Sequence, residues 1–168
     1  MKTIKPLFLA IICAIIMSGC ASLKPAIVTR NNSLDGYQYV YITPTAELTS
    51  STGSVYGNNY GTYGLTQTKS INPSDVIAGY LLKKGFTRVP KITPELKENT
   101  LIVNYGESGR RNVFWGYTIE ITIQFLSAKN HSVLCVGTAE GMGDTETDDI
   151  RIAINRCLDK IFSPNINN

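Results

Sequence analysis

The clearest pattern along the chain is an alternation of residue types between positions 115 and 125. Trp115, Tyr117 and the following odd positions up to Phe125 are large and apolar, whereas the even positions hold glycine or polar residues. Successive side chains of a β-strand point to opposite faces, so this pattern predicts a long antiparallel strand with one buried and one solvated face. Residues 128–131 predict a hairpin turn, and residues 132–139 predict the returning strand.

Shorter patterns predict the remaining elements. Strands are predicted at 36–43 and at 101–105. Two helices are predicted, because apolar residues recur at a spacing of three to four in two segments. The apolar stripe of the first helix is Val76, Ile77, Tyr80 and Leu81, and that of the second is Ile150, Ala153, Ile154, Cys157, Leu158 and Ile161. We therefore expect an α+β fold in the order β-α-β-β-β-α, with an antiparallel sheet of about four to five strands and both helices on one face.

The first residues are typical of a secretory signal peptide. Lys2 and Lys5 precede an apolar run at 7–17, and the small residues Ser18 and Gly19 follow it. This order of a charged region, an apolar region and a small-residue exit predicts a signal peptide over residues 1–19.

The end of this segment, Met17-Ser18-Gly19-Cys20, resembles the bacterial lipobox. The resemblance implies that the Cys20 sulfur receives a diacylglycerol and that, after cleavage, the new amino group receives an acyl chain such as palmitate. Several acyl chains hold a protein stably at a membrane. Ala21 stands where lipoproteins retained at the inner membrane carry Asp, so we expect an anchor in the periplasmic leaflet of the outer membrane. An ordinary secreted protein is the alternative.

The mature chain is expected to form one domain. Residues 20–35 are mostly polar and predict a lipidated N-terminus with a flexible tether, and residues 36–162 predict the α+β domain, followed by a tail at 163–168. Residues 49–64 are rich in Gly, Tyr, Ser and Thr and contain no charge. This segment predicts a long loop or a loose hairpin within the domain.

Charge and chemistry exclude several classes of function. The net charge of +3 falls to +1 without Lys2 and Lys5, with 14 basic against 13 acidic residues, so we expect no nucleic-acid partner. His131 is the single histidine and lies in the predicted turn, which leaves the common catalytic and zinc arrangements incomplete. The acidic residues at 144–149 do not match a calcium loop, because positions six and twelve hold Asp149 and Asn155. We expect no enzyme, metal or cofactor.

Two cysteines of the mature domain leave an alternative open. Cys135 lies on the predicted returning strand and Cys157 lies on the apolar face of the second helix. If this helix covers that strand, the two sulfurs can meet in a disulfide, which the periplasm permits. The other interpretation is two buried free thiols.

Two sets of residues are candidates for a partner surface. The first is tyrosine-rich, with one strand face and the 49–64 segment contributing Tyr37, Tyr39, Tyr41, Tyr56, Tyr60 and Tyr63. Tyrosine is enriched at interfaces, although a strand face that packs beneath the loop explains the pattern as well. The second is Arg110-Arg111, next to Phe114 and Trp115, where paired guanidinium groups suit a phosphate or a carboxylate. A solvated turn is the alternative.

The order of these motifs resembles one family of small envelope lipoproteins. The resemblance rests on the helix end Leu82-Lys83-Lys84-Gly85-Phe86, the strand at 99–105, Gly137-Thr138-Ala139-Glu140-Gly141 and the last helix. These features are similar to domain of unknown function 4136 over residues 36–162. A weaker likeness, in element order alone, is to LptE of the lipopolysaccharide translocon. Both likenesses imply a fold rather than an activity.

Three functions remain in competition. The first is a membrane-anchored, non-catalytic binding or scaffold module whose partner is another envelope protein. The second is an accessory protein that handles lipid or lipopolysaccharide, for which we expect a cavity lined by Ile119, Ile121 and Ile123. The third is an enzyme, for which we expect a deep cleft that holds Asp144, Glu146 and Arg110 together.

Overall fold

The structure is a computed structural model that describes residues 23–44, 48–58, 61–114 and 116–163. Within residues 48–58 and 61–70 it describes the backbone pairing alone. The predicted signal peptide, the lipidation residue Cys20, Trp115 and residues 164–168 lie outside the described residues.

The described residues form strands, two α-helices and one short 3₁₀ helix at Lys97–Asn99. In chain order, the strands and helices are β1 (Ile27–Arg30), β2 (Tyr39–Ile42), β3 (Leu48–Asn58), β4 (Gly61–Ile71), α1 (Pro73–Lys83), β5 (Thr87–Arg88), β6 (Thr100–Val113), β7 (Gly116–Ser127), β8 (Val133–Gly141) and α2 (Glu146–Phe162). Side chains cap both helices, because Asn72 accepts a bond from the Ser74 amide and Thr145 accepts one from the Asp148 amide.

The main sheet has six strands in the order β1-β8-β7-β6-β2-β5. The first four of these pair antiparallel, whereas β2 runs parallel to both β5 and β6. The predicted α+β class and the two helices are confirmed. The prediction of a purely antiparallel sheet of about four to five strands was wrong, because the sheet is mixed and has six strands.

Two physical reasons account for the difference. The connection from β2 to β5 contains α1, and a helical crossover of this kind joins parallel strands. In addition, β1 arises from residues 27–30, which the sequence places in a flexible tether. Val28 and its β-branched neighbours pair instead with the edge of β8. The prediction of a flexible tether is therefore wrong for residues 27–30.

The core lies between the helices and one face of the sheet. The apolar alternation of β7 is confirmed, because Ile119, Ile121, Ile123 and Phe125 are all buried. The helices contribute side chains that include Ile77, Leu81, Ile150, Ile154, Leu158 and Ile161. Burial of these side chains removes apolar surface from water and is the main term that stabilises the domain.

Helix α2 packs unusually closely on β8, because two glycines of this strand leave room for it. A Cβ atom at Gly137 would lie 2.7 Å from Cδ1 of Ile161, and one at Gly141 would overlap the carbonyl oxygen of Asp149. The strand face that carries these two glycines is therefore the contact surface of α2.

Strands β3 and β4 form a separate two-stranded hairpin outside the main sheet. Their register runs from Leu48 opposite Ile71 to Asn58 opposite Gly61. Of the two alternatives for residues 49–64, a loop or a hairpin, the structure has the hairpin, and it extends beyond those residues on both sides.

Strands β6 and β7 extend past their neighbours. Strand β8 ends at Gly141, opposite Ile119, whereas β6 and β7 continue to the pair formed by Val113 and Gly116. We call this side of the sheet the hairpin end. Within the described residues, the structure contains no helix of sufficient length and apolar character to cross a membrane.

Candidate functional site

A groove of about 760 Å³ lies at the side of the sheet opposite the hairpin end. We call it the distal groove. One wall is the segment 30–35 that follows β1, and the other is formed by the ends of the two helices, namely Lys84, Phe86, Ile161, Phe162 and Ser163. The volume is in the range of sites that hold a small ligand or a short peptide.

Backbone contacts hold the 30–35 wall in place. The amides of Asn31 and Asn32 both donate to the carbonyl oxygen of Leu134, at 2.8 and 3.1 Å. The Arg30 guanidinium donates to the carbonyl oxygen of Ile161 at 2.5 Å, so it caps the C-terminus of α2. Because these bonds join sequence-distant elements, this wall is a fixed part of the fold.

Phe86 and Phe162 are the aromatic residues of the helix-side wall, and they belong to a larger aromatic group. The Phe162 ring lies 5.9 Å from Phe86, 5.9 Å from Phe125 and 6.1 Å from Tyr80, measured between centroids. The Tyr80 hydroxyl donates to Asp159 at 2.7 Å. Burial, together with this carboxylate, raises the pKa of Tyr80 above its ordinary value, so Tyr80 remains a neutral donor.

Positive charge lies directly over these rings. The Lys84 ammonium is 5.6 Å from the Tyr80 centroid and 5.9 Å from the Phe162 centroid, which are cation–π distances. Among the described residues, no carboxylate forms an ion pair with Lys84. The anion of the groove is Asp35, which accepts a 2.6 Å hydrogen bond from Ser33. The groove therefore combines an apolar wall with a cation that is not neutralised by a salt bridge.

A second group of charges lies at the hairpin end, and we call it the Glu140 cluster. The Glu140 side chain is only 3% exposed and accepts bonds from the Arg111 guanidinium at 2.9 and 2.6 Å. The Lys24 amide donates to the same carboxylate at 3.0 Å. Arg156 completes the cluster by donating to the carbonyl oxygens of Glu140 and Lys24. The bond from Arg111, followed by those from Lys24, holds the pKa of Glu140 at about 2, well below its ordinary value.

The two arginines predicted to bind an anion lie on a strand, not in a turn. Neighbouring residues of a strand point to opposite faces, so Arg111 reaches Glu140 while Arg110 reaches Glu107 at 2.5 Å and Glu146 at 2.7 Å. Arg110 also lies 5.2 Å from the centre of the Tyr117 ring. The prediction of a paired anion site fails geometrically, because the two guanidinium groups diverge and carboxylates of the same chain occupy them.

The predicted tyrosine surface is divided by the fold. Tyr39 and Tyr41 are half-buried on the sheet face opposite the helices, and Tyr41 pairs with Ile102 in register. Tyr37 packs against the hydrophobic core. Tyr56 and Tyr63 pair across the β3–β4 hairpin, with side chains outside the described part, and Tyr60 lies outside it altogether.

The acidic residues at the start of α2 line a hollow of about 140 Å³. It contains Asp144 and Glu146, and Arg110 binds Glu146, so two of the three residues expected in a catalytic cleft are in contact. Asp149 accepts a bond from the Gly143 amide, and burial raises the pKa of Asp149. The hollow is small and its carboxylates hold the helix start. The described residues contain no group of three or more His, Cys, Asp or Glu arranged to bind a metal.

Cys135 and Cys157 are both buried free thiols. The Cys157 sulfur packs over Gly137, the residue two positions along the strand from Cys135. Burial raises the pKa of Cys157 to about 12 and also raises that of Cys135. Of the two alternatives for this pair, the structure has the free thiols.

No family model and no curated protein matches this chain. The resemblance to domain of unknown function 4136 therefore stays an expectation. The distal groove was missed in the sequence, because one of its walls was interpreted as a tether. Phe86 directly after a helix-ending glycine and Phe162 at the end of α2 are the signals that point to it.

Proposed function

We propose that this chain is a lipoprotein anchored through Cys20 in the periplasmic leaflet of the outer membrane. The support for the anchor is the charged and apolar N-terminus followed by Met17-Ser18-Gly19-Cys20, and Ala21 supports the outer membrane. In this proposal the folded domain is a non-catalytic binding module of the cell envelope.

The distal groove is the observation that carries the binding role. Its aromatic wall and the Lys84 ammonium are complementary to an acidic, extended segment of an envelope protein that also carries an apolar side chain. The groove lies at the opposite end of the sheet from Lys24, near which the described chain begins. An anchor at Cys20 would thus leave the groove accessible from the periplasm.

The test is photo-crosslinking in cells from a reactive residue placed at Leu34, with the lipidated protein expressed at its normal level. We expect one protein to be captured through an acidic segment that mass spectrometry identifies. Lys84→Glu should abolish the crosslink, because it reverses the charge at the groove. Lys83→Glu is the matched control, since Lys83 lies on the same helical turn but does not line the groove.

Retention of the crosslink in Lys84→Glu, or equal loss in both variants, would reject the groove as the binding site. Intact mass of the protein extracted from membranes separates the two parts of the proposal. If Cys20 carries no lipid, the anchor is wrong, whatever the groove binds.

The alternative function is the handling of lipid or lipopolysaccharide, and the same experiment tests it. The cavity expected for it would be lined by Ile119, Ile121 and Ile123, and these side chains instead pack within the core. Co-purification of lipid, in place of a crosslinked protein, would favour this alternative.

A further inference from the structure

The described chain begins at the same end of the sheet as the tip of the β6–β7 hairpin. The first residue of β1, Ile27, pairs with Thr138, and the Lys24 amide reaches the side chain of Glu140. Strand β8 ends one residue later, at Gly141, which lies opposite Ile119 of β7. Lys24 therefore lies at the level where β8 ends and the β6–β7 hairpin continues alone.

The lengths of two segments then limit how the domain can sit on a membrane. Four peptide units separate Cys20 from Lys24, and they span at most about 14 Å. Arg110 of β6 lies level with Ile119, and from there β6 continues for four residues to Phe114, or about 14 Å at the rise of a strand. The hairpin extension is therefore about as long as the fully extended link. When the strands point toward the anchor, the tip reaches the depth of Cys20 even with the link fully extended.

The tip carries the kind of side chain that enters a bilayer interface. Phe114 is 83% exposed, which is the highest value among the large hydrophobic residues that the structure describes as exposed. An exposed aromatic ring gains free energy when it moves from water into the headgroup and acyl boundary.

Charge favours one side of the hairpin for this contact. On the Glu140 side, Lys24, Arg111 and Arg156 lie near two carboxylates, those of Glu140 and its cross-strand neighbour Glu120, so positive charge is in excess by one. On the other side, Arg110 faces two carboxylates, and the acidic start of α2 lies nearby. A surface of anionic lipid attracts the first side and repels the second.

We propose that the tip of the β6–β7 hairpin is a second membrane contact, inserted into the phospholipid interface beside the lipid anchor. The anchor holds the domain at the membrane. The tip and the side of the hairpin that carries Glu140 set the orientation of the domain relative to the membrane. This inference rests on the proposed lipidation of Cys20, since the anchor brings the tip to the bilayer.

The experiment uses the intrinsic tryptophan fluorescence of the chain. Trp115 is the single tryptophan of the sequence and directly follows Phe114. The full-length lipidated protein is reconstituted into vesicles of phosphatidylethanolamine and phosphatidylglycerol, with and without brominated acyl chains, and tryptophan emission is recorded. We expect a blue shift on reconstitution and strong quenching by the brominated lipid.

Two variants test the cause of the quenching. Phe114→Asp should reduce it severalfold, because a carboxylate at the tip opposes entry into the interface. Leu82→Asp is the matched control, since Leu82 is 68% exposed and lies near the distal groove, and it should leave the quenching unchanged. Equal quenching in all three proteins, or none in the unmodified protein, would overturn the inference.

The same sample separates this inference from the proposed anchor. Intact mass reports the lipid on Cys20, and flotation reports attachment to the vesicles. A lipidated, floating protein without quenching overturns the tip contact alone. A protein without lipid on Cys20 overturns the anchor, and with it the reason for the tip to meet the membrane.

Discussion

The two ends of the domain use positive charge differently. At the hairpin end, Arg110 and Arg111 are held by carboxylates of their own chain, and one of these carboxylates is buried. At the distal groove, Lys84 lies over two aromatic rings, and no described carboxylate pairs with it. A cation held in an internal ion pair contributes to the fold, whereas one left over an aromatic wall remains available to a partner. Residues of the same class thus have different roles at the two ends.

The largest expected loss of stability comes from a substitution that disrupts the contact between β8 and α2 at the hairpin end. Gly141→Ala places a Cβ atom where it overlaps the Asp149 carbonyl oxygen and lies 2.6 Å from the Ala153 amide nitrogen. Because backbone atoms of α2 cannot move aside, we expect a loss of about 2–4 kcal/mol in the free energy of unfolding, measured by urea denaturation.

Gly106→Ala is the matched control for this substitution, because a Cβ atom there meets nothing within 4 Å. Similar unfolding free energies for both variants would mean that α2 does not approach β8 as closely as described.

Removal of the Glu140 charge should have the next largest effect. Glu140→Gln weakens the paired bonds from Arg111 without changing the size of the side chain, so we expect a loss of about 1–2 kcal/mol in the free energy of unfolding. Glu98→Gln removes the exposed pair with Lys129 and should leave stability unchanged. If the two variants behave alike, the Glu140 cluster does not stabilise the fold.

The same carboxylate predicts a dependence of stability on pH. Its pKa is about 2 in the folded protein against an ordinary value of 4.5, so Glu140 binds its proton more weakly in the folded state. Its contribution is complete above about pH 4.5 and is lost as the pH falls toward about 2. Urea denaturation across this range should show a steeper loss for the unmodified protein than for Glu140→Gln. Parallel curves would contradict the assigned pKa.

The buried thiols should react only when the domain opens. Cys157 has a pKa of about 12 and both sulfurs are buried, so a thiol reagent should modify the native protein far more slowly than the unfolded protein. Intact mass after labelling in denaturant should show two modified cysteines in the mature domain. A mature domain that takes up no label under these conditions would instead indicate a disulfide between Cys135 and Cys157.

The smallest effect on stability is expected at the distal groove. Lys84→Met retains the aliphatic contact with Tyr80 and Phe162 and removes the charge, so thermal unfolding should change by no more than about 0.5 kcal/mol. A larger loss would show that Lys84 serves the fold in the same way as Arg111, and the contrast between the two ends would disappear.

Local sequence patterns predicted individual strands and helices better than they predicted which segments contact each other in the fold. The alternation that ends at Phe125 follows from the direction of successive side chains in a strand, so it is readable along the chain. The role of residues 30–35 was not readable, because Arg30 meets Ile161 only after α2 has folded. The same reason explains the missed groove.

The sequence by itself determined the α+β class, the apolar faces of the two helices and the buried face of β7. These features depend on periodicity, which is a local property of a chain. Only the tertiary structure decided that β2 runs parallel to its neighbours and that Arg110 and Arg111 serve separate carboxylates. It also brought the start of β1 to the end of the sheet from which the β6–β7 hairpin extends. Each of these depends on which distant segments become neighbours, and packing of the whole core, rather than any short pattern, selects those neighbours.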